Sequence, residues 1–257
     1  MNSMEEKLKV YRELLEIMDR LRVECPWDRK QTNESLRSLT IEETYELADA
    51  ILDKSPEDIK KELGDLMLHV VFYAKLGSEK GEFDMADIIR SLNEKLIYRH
   101  PHIFGDTKVK DADDVKKNWE ELKMREGRTV LQGVPRSLPA MIKANRIQEK
   151  VRAVGFDWDK REQVWDKVRE EMDELAAEVE KADPEKMESE FGDLLFSIIN
   201  AARLYRIDPE TALEKTNLKF IKRFNYLEQN TLKKGRKLKD MNLDEMNGIW
   251  EQAKDYD

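Results

Sequence analysis

The chain has 257 residues, 39% charged and 40% hydrophobic, and carries 46 Lys and Arg against 55 Asp and Glu. This balance excludes a disordered chain, and the net charge of −9 argues against a nucleic-acid binder, which would carry a basic surface. Cys25 is the only cysteine, so an intrachain disulfide and a Cys-rich zinc site are excluded, and no apolar run reaches the ~20 residues of a membrane span. We therefore expect a cytoplasmic protein without a membrane partner.

Helices are predicted along the whole chain, because glycine and proline are scarce and apolar residues recur at helical spacing. In the first half, Ser55 before Pro56 predicts a helix N-cap with proline at the first helical position. The stripe that follows consists of Leu63, Leu66, Met67, Val70, Val71 and Ala74. No alternating run of β-branched residues predicts a strand. We expect an all-α fold of roughly ten helices.

The densest cluster of helix-breaking residues lies in the middle of the chain, within residues 127–139. We predict a linker there, between an N-terminal helical domain of residues 1–126 and a C-terminal one of residues 140–257. In the second half, Asp183 before Pro184 again predicts an N-cap. A second apolar stripe consists of Leu194, Leu195, Ile198, Ile199 and Ala202.

The two halves share an ordered series of motifs, which indicates a tandem duplication. At a constant offset of 128 residues, Glu42-Glu43-x-x-Glu46 matches Glu170-Glu171-x-x-Glu174, and Glu62-x-Gly64-Asp65 matches Glu190-x-Gly192-Asp193. Further along, Lys95-x-x-x-Arg99 matches Lys219-x-x-x-Arg223, and Trp119-x-x-x-Lys123 matches Trp250-x-x-x-Lys254.

The residues repeated in both halves are mostly acidic, which points to a bound cation. Residues i and i+3 share a helix face, so Glu43 projects with Glu46, and Glu62 with Asp65. A short turn makes the two helices antiparallel neighbours, so four carboxylates in each half can converge. One acidic pair alone is usually a solvated face, but convergence of both pairs favours a hard divalent cation, Mg²⁺ or Mn²⁺, over zinc.

The repeated cations and tryptophans suit a phosphate-bearing ligand. Lys95 with Arg99 lie one helical turn apart, beside the acidic residues, and can clamp phosphates that share the cation. Trp119 and Trp250 are either core residues or a wall for a base or ribose. Neither a Gly-rich phosphate loop nor a Ser/His/Asp set is present. We therefore expect phosphate chemistry driven by a metal, in which an activated water attacks phosphorus.

Several motifs make the sequence resemble the MazG family of nucleoside triphosphate pyrophosphohydrolases, in its two-domain form and along essentially the whole chain. They are Cys25-Pro26-Trp27-Asp28-Arg29-Lys30-Gln31-Thr32, the acidic motifs, Arg99-His100-Pro101-His102-Ile103-Phe104 and Val154-Gly155-Phe156-Asp157-Trp158. The resemblance implies a tandem duplicated helical bundle of the all-α NTP pyrophosphatase type, completed by dimerisation. It also implies cleavage of NTPs and dNTPs at the α–β bond, which gives a nucleoside monophosphate and pyrophosphate.

The resemblance further implies roles for individual residues. The Mg²⁺ ligands would be Glu171, Glu174, Glu190 and Asp193, with Glu43, Glu46, Glu62 and Asp65 as their N-terminal counterparts. Lys167, Lys186, Lys219, Arg223, Trp250 and Lys254 would bind substrate, as would Lys95, Arg99, Trp119 and Lys123 in the other copy. The catalytic residues would be Glu170 and Glu171, with Glu42 and Glu43; Glu170 would position or deprotonate the attacking water.

An alternative function is a regulatory interaction protein with a vestigial N-terminal site, whose partner would be a GTPase or a toxin–antitoxin component. Residues 36–41 contain only Arg37 as a cation, whereas Lys167 and Arg169 precede Glu170. However, a pure scaffold has no physical reason to hold eight carboxylates in two repulsive clusters. The retained acids and cations therefore favour the enzyme.

Overall fold

Helices make up the regular structure of the part of the chain that this computed structural model describes: residues 2–112, 114, 115, 118, 119, 122, 129–233 and 235–254. Within these ranges lie ten α-helices, three short 3₁₀ helices and no strand, which confirms the predicted all-α fold. The chain divides into two compact units, Met1–Lys108 and Val109–Asp257. The linker in residues 127–139 remains a prediction. None of the described helices combines the length and apolar character needed to cross a membrane.

The first unit is built on a helical hairpin against which the N-terminal helix packs. Its helices are α1 (Met4–Glu24), α2 (Asn33–Leu52), α3 (Pro56–Lys80), α4 (Met85–Arg99) and α5 (Pro101–Phe104). Helices α1, α2 and α3 each contribute to one core cluster, which consists of Met18, Leu36, Val71, Phe72 and Leu76. Burial of these side chains holds the hairpin that carries the first acidic motifs.

The second unit repeats the hairpin and adds two helices after it. Its helices are α6 (Ala140–Arg152), α7 (Val164–Lys181), α8 (Pro184–Leu204), α9 (Pro209–Lys233) and α10 (Leu243–Ala253). Its buried side chains include Val164 and Val168 on α7, Ile199 on α8, Leu227 on α9 and Ile249 on α10. The acidic motifs again lie on the two helices of the hairpin, here α7 and α8.

The turn of the hairpin has the same backbone geometry in both units. Ser55 and Asp183 cap α3 and α8, as predicted, and each side chain accepts a hydrogen bond from the backbone N–H three residues later. The residues before them, Lys54 and Ala182, adopt left-handed φ angles of 55° and 53°. Left-handed backbone is uncommon outside glycine. The duplication thus extends to the local geometry that sets the two helices side by side.

Each unit also exposes an apolar stripe on the second helix of its hairpin. Three residues of α3 and three of α8, at the same offset of 128, are between 43% and 55% exposed: Leu63, Met67 and Val70, and Phe191, Leu195 and Ile198. Contiguous apolar surface of this kind commonly marks an interface.

Candidate active site

An acidic cluster lies on the hairpin of the second unit. Glu171 and Glu174 come from α7 and Glu190 from α8, and one carboxylate oxygen from each lies within 4.8 Å of the others. Glu171 is only 6% exposed. The i, i+3 spacing on α7 and the short turn before α8 bring the three together, as the sequence predicts. An all-oxygen set of this size fits a hard divalent cation.

The first unit carries the corresponding cluster. Oxygens of Glu43 on α2, and of Glu62 and Asp65 on α3, lie within 4.8 Å of one another. Glu62 is 6% exposed, and its Oε2 atom has no hydrogen-bond partner among the described residues. A buried carboxylate oxygen without a partner is costly, and a cation would satisfy it.

The fourth predicted ligand of each set lies outside these groups of three. Asp193 is one helical turn from Glu190 on α8 and lines the same cavity as Glu171. Glu46 is close enough to Glu43 for its charge to raise the pKa of that carboxyl. Both residues therefore stand beside their clusters.

Like charge and burial raise the pKa of one carboxyl in each cluster. For Glu43 the largest cause is burial, followed by repulsion from Asp65 and neighbouring glutamates. For Glu174 it is again burial, followed by repulsion from Glu171. A bound cation would lower the pKa of both carboxyls again, because it favours their ionised form.

Lys167 partly neutralises the second cluster from within. Its Nζ atom lies 2.8 Å from an oxygen of Glu170 and 2.8 Å from one of Glu171. These bonds raise the pKa of Lys167 above its ordinary value. In the first unit, Lys61 pairs with Glu62 at 2.9 Å. A lysine thus contacts one buried glutamate in each cluster.

A cavity of about 620 Å³ opens beside the second cluster. Glu171, Asp193 and Lys167 lie along it, and its apolar wall consists of Ile147, Val151, Phe156, Trp158, Val164 and Phe196. Sequence reasoning missed it, because the wall comes from α6, the segment after it, α7 and α8. The Val154-to-Trp158 motif was the one available signal.

The first unit contains a hydrogen-bond network next to its acidic cluster. Oγ1 of Thr40 donates to the carbonyl oxygen of Leu36 and lies 2.9 Å from Nδ1 of His69 and 2.8 Å from the hydroxyl of Tyr73. The Thr40 hydroxyl thus joins the His69 ring and the Tyr73 hydroxyl of α3 to helix α2. Burial lowers the pKa of His69, although the charge of Asp65 opposes this. Sequence reasoning missed this network too.

The predicted cations lie on the helices that follow each hairpin, Lys95 and Arg99 on α4, and Lys219 and Arg223 on α9. The Arg223 guanidinium lies 5.8 Å from the centre of the Trp250 ring. Trp250 also packs against Phe220, with ring centroids 5.0 Å apart.

The remaining predicted substrate contacts fall in different places. Lys186 pairs with Asp183 at the start of α8, and Lys254 pairs with Glu251 at the end of α10. Trp119 is half-buried. Lys123 falls outside the described residues. Glu42 and Glu170 are exposed, and each directly precedes a glutamate of its cluster.

Comparison with known proteins identifies the class to which this fold and these clusters belong. The sequence profile of the MazG nucleotide pyrophosphohydrolase domain matches residues 31–104 and 160–227, which contain the two hairpins. The chain therefore belongs to the MazG family.

Individual relatives match over nearly the full length. The chain is similar to the nucleoside triphosphate pyrophosphohydrolase/pyrophosphatase MazG of Thermotoga maritima, with 44% identity over 96% of this chain and 97% of the relative. It is 42% identical to the nucleoside triphosphate pyrophosphohydrolase of Escherichia coli K12, over 94% of this chain and 95% of the relative. Protein YabN of Bacillus subtilis is 45% identical over 90% of this chain, which corresponds to 48% of YabN.

Proposed function

We propose that this protein is a Mg²⁺-dependent nucleoside triphosphate pyrophosphohydrolase that cuts NTPs and dNTPs between the α and β phosphates. The observation that carries the proposal is the pair of carboxylate clusters on duplicated hairpins, each of which contains one buried glutamate. The near full-length similarity to enzymes of that name supports the same activity. The products would be a nucleoside monophosphate and pyrophosphate.

The residues at the second cluster suit this chemistry. Glu171, Glu174, Glu190 and Asp193 would hold Mg²⁺, with Mn²⁺ as a substitute, and the metal would supply charge neutralisation at the phosphates and a more acidic water. Glu170 would orient that water and accept its proton as the oxygen bonds to the α phosphorus. The bond from the α phosphorus to the bridging oxygen breaks, and pyrophosphate leaves with the electron pair.

The neighbouring cations would hold the triphosphate. Lys219 and Arg223 lie one turn apart on α9 and would hold the departing phosphates, while Lys167, already beside Glu170, would contact the α phosphate. Trp250, Lys186 and Lys254 are proposed as further contacts. In the first unit, Glu43, Glu46, Glu62 and Asp65 would bind a second metal, with Glu42 and Glu43 in the catalytic role.

For the first unit we propose the substrate contacts Lys95, Arg99, Trp119 and Lys123, by the matching of the repeat. As a second candidate for this unit alone, we propose docking of a regulatory protein such as a GTPase. A measurable contribution of the first cluster to turnover would decide between the two.

We further propose that the protein is a homodimer and acts in the cytoplasm. The apolar stripes on α3 and α8 support the dimer, because they lie at equivalent positions of two helices and stay half-exposed in one chain. Two copies of the chain would bury these stripes against each other and complete each helical bundle.

The test is direct. The protein is incubated with Mg²⁺ and each of the common NTPs and dNTPs, and the products are separated by chromatography. Monophosphate and pyrophosphate are the expected products, and excess EDTA should abolish them. A diphosphate and orthophosphate as first products would show that a different phosphorus is attacked.

A further inference from the structure

A second cavity lies within the second unit, apart from the acidic cluster. Its volume is about 640 Å³, and its wall comes from α6, the end of α8, the segment that leads into α9 and the segment at Asp111. We call it the arginine cavity, because Arg152, Arg203 and Arg206 line it. The carboxylates of the acidic cluster are not among its described lining residues.

Two of the three arginines are paired within the protein. Arg203 donates hydrogen bonds to Asp157 through both of its terminal nitrogens, and Nε of Arg152 lies 3.6 Å from the same carboxylate. The guanidinium of Arg206, by contrast, has no hydrogen-bond or ion-pair partner among the described residues. An arginine on a cavity wall that is not paired in this way can bind an anion.

The acids that line the arginine cavity have partners of their own. Glu149 forms an ion pair with Arg146 at 2.9 Å, and Asp111 and Asp208 each accept the backbone N–H of the residue three positions later. These contacts leave the Arg206 guanidinium to a ligand. A carboxylate has about four acceptor positions, so the same acids can also accept hydrogen bonds from hydroxyl groups of that ligand.

The backbone holds Arg206 in a conformation that favours glycine. Its φ is a left-handed 60°, its N–H bonds to the carbonyl of Arg203, and the N–H of Ile207 bonds to the carbonyl of Ala202. This is the Schellman ending of a helix. In the first unit, α3 ends in the same motif with Gly81 at a φ of 68°. The second unit thus has an arginine where its duplicate has glycine, and an uncommon backbone conformation of this kind often marks a functional residue.

We infer that the arginine cavity binds a small phosphorylated metabolite, whose phosphate contacts the guanidinium of Arg206. A volume of about 640 Å³ is within the roughly 300–1,000 Å³ typical of small-molecule sites, so the ligand is larger than a bare phosphate ion. A phosphate has three acceptor oxygens, which suits a wall with three guanidinium groups. Hydroxyl groups on the rest of the ligand would donate to the lining carboxylates.

Ribose 5-phosphate is a suitable probe, because it joins a phosphate to several hydroxyl groups and contains no base. It is titrated by calorimetry into the full-length protein in the presence of EDTA, which keeps the acidic clusters free of metal. Ribose is the reference compound without a phosphate.

Two variants remove the charge of Arg206 and suit its backbone. Arg206→Gly introduces the residue that the first unit has at this position, and Arg206→Asn introduces another residue that tolerates left-handed backbone. Arg12→Ala is the matched control, because Arg12 is an exposed arginine of α1 that does not line the cavity. Lys219→Ala removes a phosphate contact proposed for the acidic site, and so distinguishes the two sites.

We expect Arg206→Gly and Arg206→Asn to bind ribose 5-phosphate at least about ten-fold more weakly than the wild type, since a charge-assisted contact is lost. Arg12→Ala and Lys219→Ala should bind it like the wild type, and ribose should bind more weakly than ribose 5-phosphate. The Tm of Arg206→Gly should be no lower than that of the wild type, because glycine relaxes the left-handed backbone. No binding by the wild type, undiminished affinity in either Arg206 variant, equal affinity for ribose, or an equal loss in Lys219→Ala would overturn the inference.

Discussion

At the scale of single residues, the charge of each carboxylate in the second cluster can be tested by a substitution that removes it. Glu174→Gln and Glu190→Gln keep the shape of the side chain and delete one of the charges proposed to hold the metal. We expect each to lower kcat by at least about 10²-fold, which corresponds to several kcal/mol of transition-state stabilisation. Steady-state rates of pyrophosphate release measure this.

The matched substitution in the first unit is Glu62→Gln. If the units act independently, it should reduce turnover by no more than about two-fold, because the second unit would keep its own share of the turnover. A loss comparable to that of Glu190→Gln would mean that the first cluster takes part in every turnover.

The raised pKa values of Glu43 and Glu174 predict how stability depends on pH. A carboxyl whose folded pKa lies above its ordinary 4.5 contributes stability that is complete below about pH 4.5 and is lost as the pH rises through the raised value. The metal-free protein should therefore be less stable at neutral pH because these carboxyls are ionised, and a bound divalent cation should restore that stability.

The measurable consequence is a Tm that Mn²⁺ or Mg²⁺ raises more at pH 7.5 than at pH 5, because protons compete with the metal at the lower pH. Thermal scans at both values, with EDTA as the reference, test it. A metal effect that is equal at both values would contradict the clusters as the metal sites.

At the scale of secondary structure elements, the hairpin turn offers a test of backbone strain. Ala182 has a left-handed φ and is exposed, so Ala182→Gly removes strain without the loss of a buried contact. We expect a gain of up to about 1 kcal/mol in the free energy of unfolding. Ala176→Gly, at an exposed position inside α7, should instead lose up to about 1 kcal/mol.

Urea titration of both variants gives these free energies. A loss for Ala182→Gly that matches the loss for Ala176→Gly would show that the left-handed residue carries no strain. The opposite signs are expected because glycine is favoured where φ is positive and disfavoured where it is helical.

Elements that depend on local spacing could be predicted from the sequence. Ser55 and Asp183 were predicted as caps, because capping needs only a side-chain oxygen and the next three residues. The pairs Glu43 with Glu46 and Glu62 with Asp65 were predicted to share faces by helical period alone. All of these interactions span no more than four residues.

Features assembled from distant segments could not be predicted in this way. The wall of the cavity joins α6, α7 and α8, and Gln148 meets Phe196 across 48 positions of sequence. The Thr40–His69 contact spans 29 positions. Periodicity reports which face of a helix is apolar, but not which helix packs against it, so these contacts required the structure.

At the scale of the whole molecule, the exposed stripes predict an interface between copies. Leu195 on α8 is 55% exposed in the single chain, so Leu195→Asp should leave the fold of each unit intact and break the dimer. Sedimentation should shift from dimer to monomer at micromolar concentration, and activity should fall with it. The same substitution at exposed Leu243, outside the stripes, is the control.

A fully active wild-type monomer at that concentration would rule out the dimer. The stripe would then remain as surface for a different protein. Equivalent behaviour of Leu195→Asp and Leu243→Asp would lead to the same conclusion.

Lys167 bonds to both Glu170 and Glu171 and would therefore compete with a metal ion for the acidic site. A metal ion that bound there would have to displace this ammonium, so its affinity would be the difference between the attraction of the carboxylates for the metal and their attraction for the lysine. The displaced lysine would then be available for the anionic substrate that accompanies the metal. Lys167→Met should consequently bind Mn²⁺ more tightly in calorimetry while it binds the triphosphate more weakly, so the same side chain would set two affinities in opposite directions.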